Sequence, residues 1–520
     1  MDQVSIVFVV SLVAVLMLPL ASVTAAMVPI FCAPDTSCTV KNVTATENDS
    51  YQLIGTILQA YSVAFVNCRM YSLPQIPQAG LVSASNIDLV RLHPSTFVHL
   101  ESLDVSYNHL REFSPNVTER PEQLRTLALQ GNVALTNFTF LRSLTNLNTL
   151  NMAEMNLSGF DFDLLSSMSN LRNFNMSHSN ISELSANISR ARGSVIDLSG
   201  NVITRVVSYA FPCYWDFNYG RDCIIDLSYN NISVIEKNAF KGSFKVNLQN
   251  NNIITIEKDT FKENSEVNLQ NNNIRIIEED AFVTVPYVNL KNNSLRDGIH
   301  PNAFKSVTDL ILSNNDLSNF DFLQQLQSLR TLNLSYVPYF SRCATPCTVF
   351  GMLRSLEILD LSNNGITELP VGIFSGLGSL NVLNLRNNRI SNIEYGTFGT
   401  FIREQKRSQP TCRILEVDLS NNLITNLDFS LFSSGCVVDR LLLHGNQITS
   451  IDITKRGIST LGLQDTQVTC ANLVELMSKG ISLVNDHDDR HVLDQPNVLG
   501  IPCVSQRNPY AHKMRNNKVN

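Results

Sequence analysis

Apolar and polar positions follow a phrase that recurs along most of this chain. Ile225–Ile232, Val246–Ile253, Val267–Ile274 and Val288–Leu295 read IDLSYNNI, VNLQNNNI, VNLQNNNI and VNLKNNSL, with starts 21 residues apart. The phrase is apolar-x-Leu-x-x-Asn-x-apolar. Further copies start at Leu81, Leu103, Leu127, Leu150, Phe174, Ile196, Leu310, Leu332, Leu359, Leu383, Val417, Leu441 and Leu461, which makes 17 units. A period this long is not helical, and Asn is a poor helix-interior residue. Self-similarity at such a period predicts stacked coils, each packed only on its neighbours.

Each position has an expected task. The apolar-x-Leu segment alternates as a short strand, apolar side chains inward. The Asn turns the chain out of the strand, where its amide can bond the backbone of adjacent coils. It is Asn in 13 of 17 units; Met155, Ser179, Val337 and Thr466 depart. A Phe recurs 15 or 16 residues after the strand start, at Phe97, Phe211, Phe240, Phe261, Phe282, Phe304, Phe374, Phe398 and Phe432, and predicts an aromatic spine inside the opposite wall.

The first residues differ. Ile6–Leu18 is an unbroken uncharged run, ended by Pro19 and followed by the small residues Thr24 and Ala26. This reads as a secretory leader over 1–26, although Met1–Ser5 carries Asp2 and no basic residue. The run is too short to span about 30 Å comfortably, and no membrane span is expected elsewhere. Eleven Asn-X-Ser/Thr sequons follow, at Asn42, Asn48, Asn116, Asn137, Asn156, Asn175, Asn180, Asn187, Asn231, Asn292 and Asn333. With 11 cysteines, all after the leader, they point to a glycosylated, secreted protein. Three cysteine couples are suggested by position. Cys213 and Cys223 bracket one inserted loop, and Cys343 and Cys347 sit together in another. Cys412 and Cys436 are 24 apart, as are the strand starts Val417 and Leu441, so neighbouring coils hold them at one strand spacing.

The repeats, with Val66-Asn67-Cys68 before them and Cys470 and Cys503 after them, resemble extracellular leucine-rich-repeat proteins. The likeness is to Toll-like receptor ectodomains and to the secreted leucine-rich-repeat immune proteins of insects. It implies an α/β-type leucine-rich-repeat solenoid, or horseshoe. The parallel sheet would form its concave face, and loops, turns and short helices its convex face, between disulfide-bearing caps. The expected layout is an N-terminal cap over 27–78, the repeat array over 79–468, a C-terminal cap over 469–503 and a flexible basic tail over 504–520. The C-terminal cap looks reduced to one disulfide, Cys470–Cys503, with a helix through Leu473, Leu476 and Met477. Cys32, Cys38 and Cys68 then leave one odd thiol, either buried or available for a disulfide-linked dimer; a non-covalent dimer is equally open. The resemblance further implies recognition of an extracellular protein or a glycan-bearing pathogen surface.

Composition narrows the chemistry. The net charge is −7 and no basic stripe dominates, so nucleic acid is not an expected partner. No nucleophile, metalloprotease or phosphate-loop motif stands out, and neither catalysis nor a cofactor is expected. His487 and His491 with Asp486, Asp488 and Asp489 read as a solvated cap loop rather than a metal site. The outward strand positions carry candidate ligand contacts: Asn247, Asn268 and Asn289 in one row, Gln249, Gln270 and Lys291 in the next, with Arg386 and His444 further on. Two loops add Trp215, between Cys213 and Cys223, and the basic set Arg403, Lys406 and Arg407. Since 185 residues after Ser335 carry no sequon, the units from Leu359 to Leu461 with their C-terminal cap are the expected main protein-binding surface. The function expected is recognition in innate immunity; a structural or developmental matrix role is the alternative.

Overall fold

The structure is a computed structural model. It describes residues 30–32, 37–46, 60–186, 188, 195–211, 223–242, 244–338, 349–374, 376–394, 397, 412–427, 436–451, 458–484, 497–499 and 501–504. The leader, the basic tail after Val504, Asn48, Asn187, Cys213, Trp215, Cys343, Cys347, Phe398, Arg403, Lys406, Arg407, Phe432, His487 and His491 lie outside these residues. The chain forms two compact units, 1–251 and 252–520.

In the first unit, parallel strands follow one another from Ser37–Lys41 and Ser62–Val66 through Leu81–Ser83, Ser102–Asp104, Thr126–Ala128, Thr149–Asn151, Asn173–Asn175 and Val195–Asp197 to Cys223–Asp226 and Phe244–Asn247. In the second, they run from Glu266–Asn268, Tyr287–Asn289, Asp309–Ile311 and Thr331–Asn333 through Ile358–Asp360 and Val382–Asn384 to Cys412–Asp418, Cys436–Leu442, Ile458–Gly462 and Ser482–Val484. Every repeat contributes one strand, and the fold is a leucine-rich-repeat solenoid. Register aligns the repeat phrase: Leu103 pairs with Leu127, and Leu127 with Leu150. These leucines are fully buried, each stabilising by roughly 1.5–3 kcal/mol relative to exposure.

One expected strand start is displaced. Leu81 is 39% exposed, while Val82 is buried and pairs with Leu103. A one-residue slip reverses every side chain of a strand. The turn moves with it: buried Ile87 takes the place expected for Asn86, which adopts φ 53° instead. The amide ladder therefore holds 12 asparagines rather than 13. Asn108 shows how it works. Its Oδ1 accepts the N–H groups of Ile87 and Leu89, both at 3.0 Å, and its Nδ2 donates to Ala84 and Val105 carbonyls at 2.8 and 2.9 Å. Ser179 substitutes with a hydroxyl, accepting from Met155 N–H at 3.2 Å and lying 3.1 Å from Met152 O. A backbone turn that would otherwise bury unpaired groups is thereby satisfied.

The opposite wall is built from rings and short turns. Phe261, Phe282 and Phe304 are fully buried and stack at 5.4 and 5.3 Å between centroids; Phe211 and Phe240 stack at 5.7 Å. Longer units replace this with 3-10 turns such as Thr139–Ser143, Phe162–Leu165 and Asp321–Gln325. Short second ladders join Arg205–Val206 to Val234–Ile235, and Thr255–Ile256 to Ile276–Ile277.

The cap strands Ser37–Lys41, Ser62–Val66 and Ser482–Val484 extend the same parallel pattern, so the caps cover the core with further coils. Cys470–Ser478 is the one α-helix among the described residues. Thr469 caps it by accepting Asn472 N–H at 3.3 Å, and Leu473 and Leu476 face the core. Cys470 is bonded to Cys503. In the N-terminal cap Cys38 is disulfide-bonded and pairs in strand register with Cys32, whereas Cys68 is a free thiol, 3% exposed. Its Sγ lies 3.6 Å from Val40 O. The odd cysteine thus has the buried of its two expected placements, out of reach of a second chain.

Candidate recognition surface

Three rows of side chains leave the strands on the face away from the core: one before the first inward residue, one after it, and one two places further on. Twelve of the 17 middle-row positions are Asp or Asn, whose side chains turn back on the chain; the others are Ser83, Ala128, Ile311, Leu442 and Gly462. In six residues of each unit, Asp104 to Asn247 and Asn268 to Asp418, a carboxylate or amide oxygen accepts the backbone N–H two residues ahead at 2.8–3.3 Å. Such Asx turns start the chain's exit from each strand.

This changes the reading of the candidates. Asn247, Asn268 and Asn289 each close a turn, onto Gln249, Gln270 and Lys291. Asn247 also donates to Asp226 at 3.0 Å, and Asn289 to Gln270 at 3.3 Å. The amide rows are therefore a rigid, internally bonded lattice. Arg386 is exposed, its N–H held by Asn384 at 3.0 Å. His444 lies half-buried, its Nδ1 accepting Gln464 N–H at 3.2 Å. Its ring occupies the space a Cβ on Gly462 would need, only 2.2 Å from that position. Cys412 and Cys436 are register partners in adjacent strands.

Sequons take several settings. Asn137 and Asn156 are exposed and bond the hydroxyls of their own Thr139 and Ser158 at 2.8 and 2.9 Å. Asn42, Asn116, Asn180 and Asn231 are also exposed. Asn175 and Asn333 hold middle-row turns. Asn292 belongs to an outer amide row at the strand exits, where it donates to Asn271 at 2.6 Å and accepts from Asn314 at 2.7 Å. All three have φ of 55–56°, a left-handed conformation Asn tolerates.

The leading row was not singled out from the sequence. In the second unit it places Glu266, Tyr287 and Asp309 side by side, with Ile311 next to Asn289 one pleat on. All four are half-buried. Burial pushes the Tyr287 phenol up, and the Glu266 and Asp309 carboxylates add to the shift. The available signal was Tyr287 itself, the row's only aromatic residue. Further along the row Arg440 pairs with Glu416 at 3.4 Å.

The leucine rich repeat family model matches residues 354–401. No curated protein sequence matches the chain. Among solved structures, the TLR13–ssRNA13 complex aligns with a TM-score of 0.55 at 18% identity, over 82% of this chain and 72% of that one. The Toll–Spatzle complex of Drosophila gives 0.54 at 18%, over 92% and 72%. A leucine-rich-repeat protein of Leptospira interrogans, LIC12759, gives 0.51 at 17%, over 71% and 97%. At these identities the likeness is one of fold. No helix among the described residues is long and apolar enough to cross a membrane.

Proposed function

We propose that this chain is a secreted recognition protein that binds extracellular protein or pathogen-surface ligands in innate immunity. The observation that carries the reading is the solenoid itself, which aligns over 92% of its length with an ectodomain solved as the Toll–Spatzle complex. The leader, the sequons and the cysteines support an extracellular destination. The bonded middle row supports binding by a preorganised surface, which loses little entropy when a ligand docks.

Affinity capture of the tagged protein from the medium of secreting cells, after cross-linking, tests this. A defined extracellular partner at stoichiometric yield is expected. Retention inside the cell, or recovery without any partner from infected and uninfected material alike, would overturn it. Deposition in matrix without infection would move the role to a structural one.

The sequon-free units from Leu359 to Leu461 are the proposed partner surface. Arg386→Ser tests them, since it creates a sequon on Asn384 and leaves the ladder residue Asn388 untouched. Its geometry copies Asn333 with Ser335. A glycan there should abolish capture; undiminished capture by the glycosylated variant places the surface elsewhere.

A further inference from the structure

We propose that Glu266, Tyr287, Asp309 and Ile311 form a cradle for a basic side chain, lysine or arginine, of a protein partner. The proposal rests on the recognition reading only in taking the partner to be a protein. Neighbouring strands lie about 4.8 Å apart, so one carboxylate stands on each side of the phenol ring. Ile311 follows Asp309 on the same face of its strand.

A lysine or arginine has two parts to satisfy: an apolar stem and a cationic tip. Here the ring and Ile311 offer apolar surface to the stem. The ring face and the flanking carboxylates offer negative potential to the tip. Asp309 is held in place. Thr308 Oγ1 lies 2.7 Å from its carboxylate, and the N–H groups of Thr308 and Asp309 both reach Pro286 O, at 2.8 and 2.9 Å. Asp360 and Asp418 close Asx turns, and Glu416 faces Arg440. The combination of ring, aliphatic group and two acids is what separates this place from the rest of the row.

The test uses the full secreted chain and fluorescein-labelled nona-arginine as probe, followed by anisotropy at physiological salt. Variants are Tyr287→Ala, Tyr287→Phe and the double variant Glu266→Gln with Asp309→Asn. Glu112→Gln with Glu119→Gln removes two exposed acids of the first unit as control. Tyr287→Ala and the double acid variant should each weaken binding about fivefold or more, the size of one cation–π contact. Tyr287→Phe and the control should stay near wild type, which also shows that a ring alone preserves the fold there. Equal loss in the control pair, or wild-type binding by Tyr287→Ala, would overturn the cradle. The same variants go into the capture experiment. If wild type captures a protein and the double acid variant captures it equally well, the cradle fails while recognition stands. If wild type captures nothing, recognition fails and the peptide titration still decides the cradle.

Discussion

Asn388 bridges two coils. It donates to the carbonyls of Leu361 and Leu385 at 3.0 and 2.8 Å and accepts from the N–H groups of Asn364 and Ile366 at 2.9 and 3.1 Å. It is 6% exposed, so water replaces few of these bonds. Asn388→Ala should lower stability by about 3 kcal/mol, since buried backbone groups lose their partners. Asn421 gives the contrast: its amide bonds Asn387 at 2.8 Å in the exposed outer row at φ 55°, and Asn421→Gly, which keeps that left-handed backbone unstrained, should cost less than about 1 kcal/mol. Urea unfolding of both variants checks this, and equal losses would refute the distinction. The ladder was legible because one residue type does one job at one spacing. Asn86 was misread for the same reason: Asn also suits the left-handed position just before the ladder, and spacing from Leu81 does not separate the two. The cradle escaped notice because its acids and its ring come from three strands, and only their register unites them.

At the level of elements, the stacked rings and the charged rim of the second unit act differently. Phe282 packs between Phe261 and Phe304, and Phe282→Ala should cost about 3–5 kcal/mol, against at most about 1 kcal/mol for an exposed position such as Ile254. Thermal unfolding of the two alanine variants decides it. On the rim, Asp280 bonds Lys305 at 3.1 Å and Lys258 at 3.2 Å. Its carboxyl is held below the ordinary 3.8, first by the hydrogen bond from Lys305. A depressed folded pKa stabilises above the unfolded value, and the gain fades as pH falls through the folded value. Asp280→Asn should therefore be less stable than wild type at neutral pH, with the gap closing on acidification below 3.8. Both lysines are half-exposed and Asp280 partly so, and the gap should therefore shrink in high salt. A gap constant with pH would mean that packing, not charge, is responsible. The strands and the ring spine followed from the repeat phrase. The 3-10 turns and short second ladders did not, because they lie beyond the eight-residue phrase, on the opposite wall.

For the whole molecule, stability is a chain of neighbour contacts, and its weak points are the ends. Cys470–Cys503 closes a separation of 33 residues over the last coil. Replacing both with Ser should destabilise the C-terminal cap by about 4 kcal/mol in the chain-entropy model. Hydrogen exchange should show the loss first at Ser482–Val484 and Ile458–Gly462, with the rows around Leu310 unchanged. Uniform loss along the second unit would instead mean that it unfolds as one block. The cap itself was visible in sequence as a helix between two cysteines followed by a strand at Ile481–Val484, whereas the continuation of the sheet into the N-terminal cap was not. The N-terminal cap strands carry no Asn at the ladder spacing and show only through backbone pairing.

Asn364 joins the ladder like its neighbours, accepting from Val337 N–H and donating to Leu334 and Leu361 at 2.9 Å, but the residue after it is Gly365, at φ 66°. Asparagine followed by glycine is chemically fragile, because no side chain shields the amide carbon from attack by the next backbone nitrogen. Inside the closed coil that amide is clamped and 4% exposed, so deamidation must wait for the coil to open. Once it has happened the change is one-way. An aspartate at this place turns oxygens toward the Leu334 and Leu361 carbonyls, and the coil cannot close as before. The deamidated fraction at Asn364 would then rise with the total time this coil has spent open, a slow and irreversible clock in the second unit.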